Sequence, residues 1–301
     1  MDYGVEGFRL TQKVLQENKL QFIGMGDNLE EASKPYIFET LVGTIGIYAC
    51  ADYEFTIATE KKCGASPYDP LTSFDIVEEL RDKVDYLIVI FHGGREHYRY
   101  PTPMVQRICR KFVDKGADFV VTNHTHCIGA KENYKNAEIL YGQGNFLFDR
   151  KKIGDELWNT GLLIEIYFEK KDRICSSIRY IPIEKMDNGV RISKDEHIIE
   201  AFYERGEQIK KEGFLEEQYE KFAETWTIRM IEPFLGKSLI IKILKKLLRG
   251  KYRNNPYGYI RHLYSKPQIL FLLNLFRCQA HNELMTKVLS ETVKEELDEN
   301  R

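Results

Sequence analysis

Six consecutive apolar residues, YLIVIF at positions 86–91, restrict the folds open to this chain. A strand that is apolar on both faces must be covered on both, as a central strand of a parallel sheet is. Further buried strands are predicted at 118–122 and 139–141, and helices are predicted at 73–83 and 104–115. This alternation of strands and helices predicts an α/β fold rather than a helical bundle or a barrel.

The pattern changes near residue 185. Strands and helices alternate up to that point, whereas the remaining sequence is almost wholly helical and is interrupted by glycine and proline. We therefore predict an α/β domain over residues 1–185 and a helical C-terminal region over residues 186–301. The six cysteines are scattered without a CxxC pair, which is typical of reduced thiols and not of a secreted disulfide framework.

Charge is distributed unevenly along the chain, although the net charge is only −2. No acidic residue lies between Glu232 and Glu283, and Lys and Arg occur ten times in that window. Within it, segment 237–253 carries an apolar face and a basic face, which fits a helix lying on an anionic membrane surface. It fits equally a core helix with a solvated basic face, the interpretation that we favour. A nucleic-acid partner is not expected, because no recognised module is present.

The sequence shows neither a membrane-spanning segment nor a signal peptide in its first residues. No 18-residue apolar stretch is present, and the first ten residues lack the basic and apolar segments of a signal peptide. The expected location is cytoplasmic or membrane-associated, with any export signal lying upstream of Met1.

Three polar loops directly follow predicted strands: HGGREH at 92–97, NHTH at 123–126 and GQGNF at 142–146. Carboxyl ends of neighbouring parallel strands meet at one edge of a sheet, so these loops are expected to lie together. His124 and His126 flank one residue and can approach a metal from the same side, while His92 follows the adjacent strand. Neutral imidazole binds manganese, zinc or iron. His92, His124 and His126 are therefore predicted metal ligands.

Other residues of these loops have more than one interpretation. Glu96 could serve as a general base, as the partner of a histidine or as a structural acid. Glu96 and Asn145 are the candidate catalytic residues, whereas His97 is interpreted as a surface histidine. The glycines at 142 and 144 could cradle a phosphate, although tight turns explain them better. GxGxxG, GxxxxGK[ST] and GxSxG are absent from suitable contexts, so nucleotide-binding and serine-hydrolase functions have no support.

Blocks at 85–96, 116–126 and 140–146 resemble, in the right order, motifs of the capsule-synthesis CapA family, and blocks at 2–7 and 24–32 agree as well. The resemblance covers about residues 1–185. It implies a calcineurin-like metallophosphoesterase fold, in which two β-sheets are sandwiched between helices. In that superfamily a lone histidine and a Gly-His-x-His loop supply ligands to a two-metal centre, and these map onto His92, His124 and His126.

Departures from the family pattern shape the functional expectation. Gly94 stands near a position where the family often has tryptophan, and Asn123 replaces a usual glycine or histidine. The family's Asn-Asn-His and Gly-Asp motifs would lie before Met1, which leads to the expectation that the chain is a fragment or begins at an internal methionine. The resemblance implies that these motifs carry a bridging aspartate.

The expected function is a CapA-like role in the synthesis or export of an anionic capsule polymer, either poly-γ-glutamate or a polysaccharide. The full-length form would be a metal-dependent hydrolase that acts on a phosphoester or an amide with one or two divalent ions. The alternative is a non-catalytic accessory or polymer-binding protein that keeps the fold.

Overall fold

The computed structural model describes residues 3–53, 56–147, 156–170, 174–231, 252, 255–277 and 289. The chain forms two compact units, Met1–Tyr219 and Glu220–Arg301. The strands are β1 (Met25–Gly26), β2 (Tyr36–Thr40), β3 (Gly43–Ala51), β4 (Gly64–Ala65), β5 (Tyr86–His92), β6 (Phe119–Asn123), β7 (Ile128–Tyr134), β8 (Ala137–Gln143), β9 (Thr160–Lys170), β10 (Ile174–Met186) and β11 (Gly189–Ile192). The helices are α1 (Gly4–Glu17), α2 (Leu29–Ala32), α3 (Ser73–Arg81), α4 (Pro103–Asp114), α5 (Glu156–Asn159), α6 (Glu196–Gln208), α7 (Phe214–Ile231), α8 (Pro256–Leu263) and α9 (Lys266–Arg277).

The main sheet of the first unit has six strands in the order β2-β3-β5-β6-β8-β7. Its four inner strands β3, β5, β6 and β8 run parallel, and the edge strands β2 and β7 are antiparallel to their neighbours. The predicted central strand is β5, in which Leu87, Val89 and Phe91 are completely buried. All four parallel strands present their carboxyl ends at one edge of the sheet.

Both faces of this sheet are covered. Helices α3 and α4 cover one face, where Val77 and Phe112 join the core of β5 and β6. The other face packs against a three-stranded sheet, ordered β11-β10-β9, through Leu162 and Tyr180. The predicted α/β fold, with two β-sheets packed together and flanked by helices, is confirmed in this arrangement.

Helix α6 packs with the first unit although it follows the boundary predicted at 185/186. Its Phe202 is completely buried beside Tyr180, and the buried Arg205 donates from Nε to the Gly129 carbonyl over 2.8 Å. The first compact unit therefore continues to Tyr219, past the end of the predicted α/β domain.

The second unit contains α8 and α9. Helix α8 begins where the Asn255 side chain accepts a hydrogen bond from the Gly258 amide, with Pro256 in the first turn. In the part of the chain that the structure describes, no helix combines the length and the apolarity that crossing a membrane requires. Apart from position 252, the basic segment 237–253 lies outside the described residues, so its surface contact stays a prediction.

Candidate metal centre

The three predicted histidine ligands come together at the carboxyl ends of the parallel strands. In the register of β5 and β6, His92 is paired with Asn123, which places His124 one residue beyond the strand end. The ring centroids of His92 and His124 are 5.0 Å apart, and those of His124 and His126 are 6.4 Å apart. The loops after β5 and β6 therefore gather three imidazoles, as expected from parallel strands that end side by side.

The loops that carry these rings have a strained backbone. In the described residues, five non-glycine residues have positive φ, and three of them are histidines of this region: His97 (61°), His124 (82°) and His126 (56°). The left-handed conformation costs about 1–3 kcal/mol for such residues. The two loops are tied together where the His97 amide donates to the Thr125 carbonyl over 2.8 Å. The surrounding structure thus holds the histidines in conformations that isolated loops would avoid.

A hydrogen-bond chain fixes the orientation of the His126 ring. Asn145 Nδ2 donates to the Trp158 carbonyl over 3.1 Å, which turns Asn145 Oδ1 towards His126 Nδ1 at 2.9 Å. Because this oxygen can only accept, Nδ1 carries the proton and Nε2 keeps its lone pair. The indole of Trp158 also stacks on the imidazole, with centroids 4.5 Å apart and planes at 24°. His126 is therefore held in the tautomer that can bind a metal through Nε2.

The sequence interpretation of His97 as a surface residue is wrong. The side chain is half-buried, and its ring lies 4.8 Å from Trp158 and 6.3 Å from His126 between centroids. His97 lies five residues beyond the end of β5, so strand-end position gave no signal for it. The structure adds both His97 and Trp158 to the site.

Glu96, the predicted general base, occupies the same loop and is half-buried. Its side chain forms no hydrogen bond or ion pair with the described residues, so its catalytic role stays a prediction. Asn145 does lie in the site, where its observed contact is with His126 and not with an open space for substrate.

A cavity of about 350 Å³ opens beside His92 and His124. Its polar lining also includes Asp52 and Asn123, and the Oδ1 atom of Asn123 is buried without a hydrogen-bond partner among the described residues. Thr56 also lines the cavity, together with apolar residues that include Ile23, Ala49, Ile57, Ala65 and Ile90. Asp52 was missed by sequence reasoning. The available signal was its position directly after β3, the neighbour of β5.

Cys50 also lines this cavity, and its thiol is kept neutral. Burial raises the pKa of Cys50 far above its usual range, and the nearby Asp52 carboxylate raises it further. Burial thus disfavours the thiolate, the form of cysteine that binds metals.

The residues present fit a divalent metal in their chemistry. His92, His124 and Asn123 line the same cavity, and manganese, zinc and iron accept imidazole nitrogens and amide oxygens as ligands. Within the described ranges, no three His, Cys, Asp or Glu side chains are close enough together to hold an ion. The chain thus presents suitable donors without a closed coordination shell of these residue types.

Comparison with known proteins identifies the family. The family model described as Bacterial capsule synthesis protein PGA_cap matches residues 1–150. The chain is 30% identical over 154 residues to the PGA biosynthesis protein CapA of Bacillus subtilis, which covers 50% of this chain and 40% of that protein. It is 29% identical over 157 residues to the capsule biosynthesis protein CapA of Bacillus anthracis, covering 50% of this chain and 38% of that protein. The chain spans less than half the length of these relatives.

Solved structures are similar only distantly. A novel phosphatase from Mycoplasma pneumoniae is 15% identical, with a TM-score of 0.31 over 51% of this chain and 58% of that one. A hypothetical protein from Thermus thermophilus is also 15% identical, with a TM-score of 0.31 over 48% of this chain and 61% of that one. The assignment rests on the family model and the two Bacillus relatives. Through residues 1–150, the chain belongs to the bacterial capsule synthesis protein family PGA_cap, that of CapA.

Proposed function

We propose that this protein acts in the synthesis or export of an anionic capsule polymer, poly-γ-glutamate or a polysaccharide, as a metal-dependent hydrolase. Family membership supports the capsule role, and the name of the Bacillus subtilis relative points to poly-γ-glutamate. The observation that carries the hydrolase proposal is the 5.0 Å distance between the ring centroids of His92 and His124, both of which line one cavity together with Asp52 and Asn123.

Each residue of the site has a distinct role in this proposal. His92, His124 and His126 hold one or two divalent ions of manganese, zinc or iron, and Asn145 keeps the lone pair of His126 Nε2 available. A bound metal would supply the Lewis acid for hydrolysis of a phosphoester, in which water forms a new bond to phosphorus, the bond from phosphorus to the alcohol oxygen breaks, and that oxygen takes up a proton. Glu96, in the loop that follows His92, accepts the proton that the attacking water loses.

The proposal is tested by metal content and turnover together. Purified protein is loaded with Mn²⁺, bound metal is measured by mass spectrometry, and hydrolysis of bis(p-nitrophenyl) phosphate is followed. His124→Ala is expected to lose bound metal and turnover while its circular dichroism stays unchanged. The control is His197→Ala on α6, because the His197 side chain is 90% exposed and pairs with Glu200. Equal metal content and turnover in wild type and His124→Ala would rule the proposal out.

A second candidate function is that of a non-catalytic accessory protein that binds the polymer. The lack of three closely spaced His, Cys, Asp or Glu side chains in the described ranges favours it. Poly-γ-glutamate binding that is equal in wild type and His124→Ala, with no phosphodiesterase turnover in either, would select this function over the first.

A membrane-surface role for segment 237–253 is a separate part of the proposal, together with a cytoplasmic or membrane-associated location. Its support is the run of basic residues without an acidic one. Co-sedimentation with anionic vesicles is expected at low salt and should weaken at high salt, because screening reduces surface electrostatics. Equal, negligible sedimentation with neutral and anionic vesicles would instead support the interpretation of the segment as a core helix with a solvated basic face.

A further inference from the structure

Asp52 is placed beside the metal centre by the register of the main sheet. Strands β3 and β5 are parallel neighbours, and Ala51 at the end of β3 is paired with His92 at the end of β5. Asp52 is the next residue, and its amide donates to the His92 carbonyl over 2.9 Å. The backbone of Asp52 is therefore fixed to the backbone of a predicted ligand.

The side chain of Asp52 makes a second connection to the same loop. The Gly94 amide donates to Asp52 Oδ2 over 3.1 Å, so one aspartate contacts both ends of the turn from His92 to Gly94. A backbone amide bonded to a carboxylate is a charge-assisted hydrogen bond, about twice as strong as a neutral one. The turn is held at its start through a carbonyl and at its end through an amide.

The absence of a side chain at Gly93 makes room for this carboxylate. A Cβ atom at Gly93 would lie 2.6 Å from Asp52 Oδ2 and 2.4 Å from Phe91 Cζ, distances too short for any side chain. Gly94 has φ of 114°, a conformation that other residues rarely adopt. Gly93 is thus explained by the Asp52 carboxylate behind the turn, and Gly94 by its left-handed backbone conformation.

We propose that Asp52 is a positioning residue of the metal centre: by holding the turn from His92 to Gly94, it keeps the His92 ring directed at the cavity shared with His124. The inference rests on the proposed function in that the ion is the one which His92 binds there. Asp52 lines the same cavity as the two histidines, so its negative charge also favours a cation in that space.

The chain offers a closely matched control at the opposite end of the same strand pair. The Asp85 amide donates to the Thr44 carbonyl over 2.8 Å, and the Thr44 amide donates to Asp85 Oδ2 over 2.8 Å. Asp85 therefore makes the same kinds of hydrogen bond between the same strands, far from the histidines along β5. A general effect of removing a strand-end aspartate would appear in both variants.

The experiment measures Mn²⁺ affinity by calorimetry and amide hydrogen exchange over residues 91–98 without metal. Asp52→Ala is expected to weaken Mn²⁺ binding about 10- to 100-fold, the range seen for groups that orient ligands, and to speed exchange at Gly94. Asp52→Asn keeps an oxygen that can accept from Gly94, so it should restore part of the affinity. Asp85→Ala should change neither quantity.

The outcomes separate this inference from the proposed function. If wild type binds Mn²⁺ and Asp52→Ala binds it equally well, the positioning role is overturned, whatever the exchange shows. If wild type binds no Mn²⁺, the proposed function fails, and hydrogen exchange alone tests whether Asp52 holds the turn. Faster exchange at Gly94 in Asp52→Ala would then support this contact, and unchanged exchange would overturn it. If Asp52→Ala does not fold, the same measurements are read from Asp52→Asn.

Discussion

The two ends of the parallel strands in the main sheet differ in how their polar groups are used. At the amino ends, Arg81 binds the Asp118 carboxylate over 2.5 Å and the Gly116 carbonyl over 3.1 Å, while Asp118 also accepts from the Leu87 amide. At the carboxyl ends, imidazoles are gathered in strained loops, and the amide oxygen of Asn123 has no partner among the described residues. The first end uses its charges to hold the strands together, whereas the second gathers imidazole rings and a buried amide oxygen without a partner among the described residues.

Cavity volume does not distinguish the two ends. A cavity of about 400 Å³ lies at the amino ends beside Asp118 and Glu138, and it is at least as large as the cavity near the histidines. Its acidic groups are already paired, since Glu138 binds Lys131 and Tyr180 while Asp118 binds Arg81. The two ends thus differ in backbone strain and in the buried amide oxygen of Asn123, which has no partner among the described residues, and not in the size of the opening.

The largest expected effect is a loss of metal affinity without a comparable loss of stability when His124 is replaced. His124→Gly should lose Mn²⁺ affinity by more than the roughly 10- to 100-fold typical of a residue that only supports a ligand. Because glycine accepts the positive φ of this position, the free energy of unfolding should stay within about 1 kcal/mol of wild type.

The matched variant is His124→Ala, which keeps the strained backbone and should be about 1 kcal/mol less stable than His124→Gly. Urea unfolding and calorimetric titration give the two quantities. If the free energy of unfolding of His124→Gly fell as far as it does in variants that open a cavity in the core, backbone strain at His124 would not distinguish the carboxyl ends of the strands from the amino ends.

Next in size is the effect of removing the amide that orients His126. Asn145→Ala should weaken Mn²⁺ binding about 10- to 100-fold, because the ring loses the acceptor that fixes its tautomer. Gln143→Ala is the control, since Gln143 is a nearby amide that donates to the Leu162 carbonyl over 3.0 Å and contacts no histidine. Equal losses in both variants would mean that Asn145 only stabilises the loop.

A substitution at the amino ends of the strands should lower stability and leave metal affinity unchanged. Arg81→Ala leaves the Gly116 and Val84 carbonyls without this donor and removes the partner of Asp118. We expect the free energy of unfolding to fall by about 1–2 kcal/mol, a value kept low because the pair is partly exposed. Mn²⁺ affinity should be unchanged. A large loss of Mn²⁺ affinity would show that the two ends are coupled and would contradict the difference described between them.

The smallest expected signal comes from Trp158. Its indole stacks on His126, so loading the site with metal should change tryptophan emission. The chain has two tryptophans, and Trp226→Phe leaves Trp158 as the only emitter. The metal-dependent change should persist in Trp226→Phe and disappear in Trp158→Phe. A change that follows Trp226 instead would contradict the assignment of the stacked pair to the metal centre.

The parts of the fold visible in the sequence are those with a local pattern. Strands β5 and β6 are continuous apolar runs, and the histidines follow directly at their ends, so both the strands and the meeting of His92 with His124 were predictable. Strand β7 was not predicted, because Lys131 and Glu132 interrupt its apolar pattern. Glu132 is nevertheless buried, and its carboxylate is bound by Arg110 from α4, a pairing that no local pattern shows.

The supporting residues of the site were beyond sequence reasoning for a related reason. Asp52 reaches the turn after β5 only through the register of two strands that are far apart in the chain, and Trp158 stacks on His126 from a segment about thirty residues further along. Side-chain contacts of this kind depend on packing, which periodicity and motif spacing do not encode. The predicted ligands could be identified one by one, but the residues that hold them could not.

The residues of the site are far apart along the chain, and this separation affects how the protein folds and unfolds. Asp52, His92, His124, Asn145 and Trp158 come from separate segments, and they meet only after the parallel strands have paired in register. Such non-local pairing is slow, because chain entropy is lost before the contacts form. An ion that binds the finished site should therefore slow unfolding more than it speeds folding. During synthesis, His126 leaves the ribosome well before Trp158, so the imidazole exists for a time without the stacked indole that later holds it.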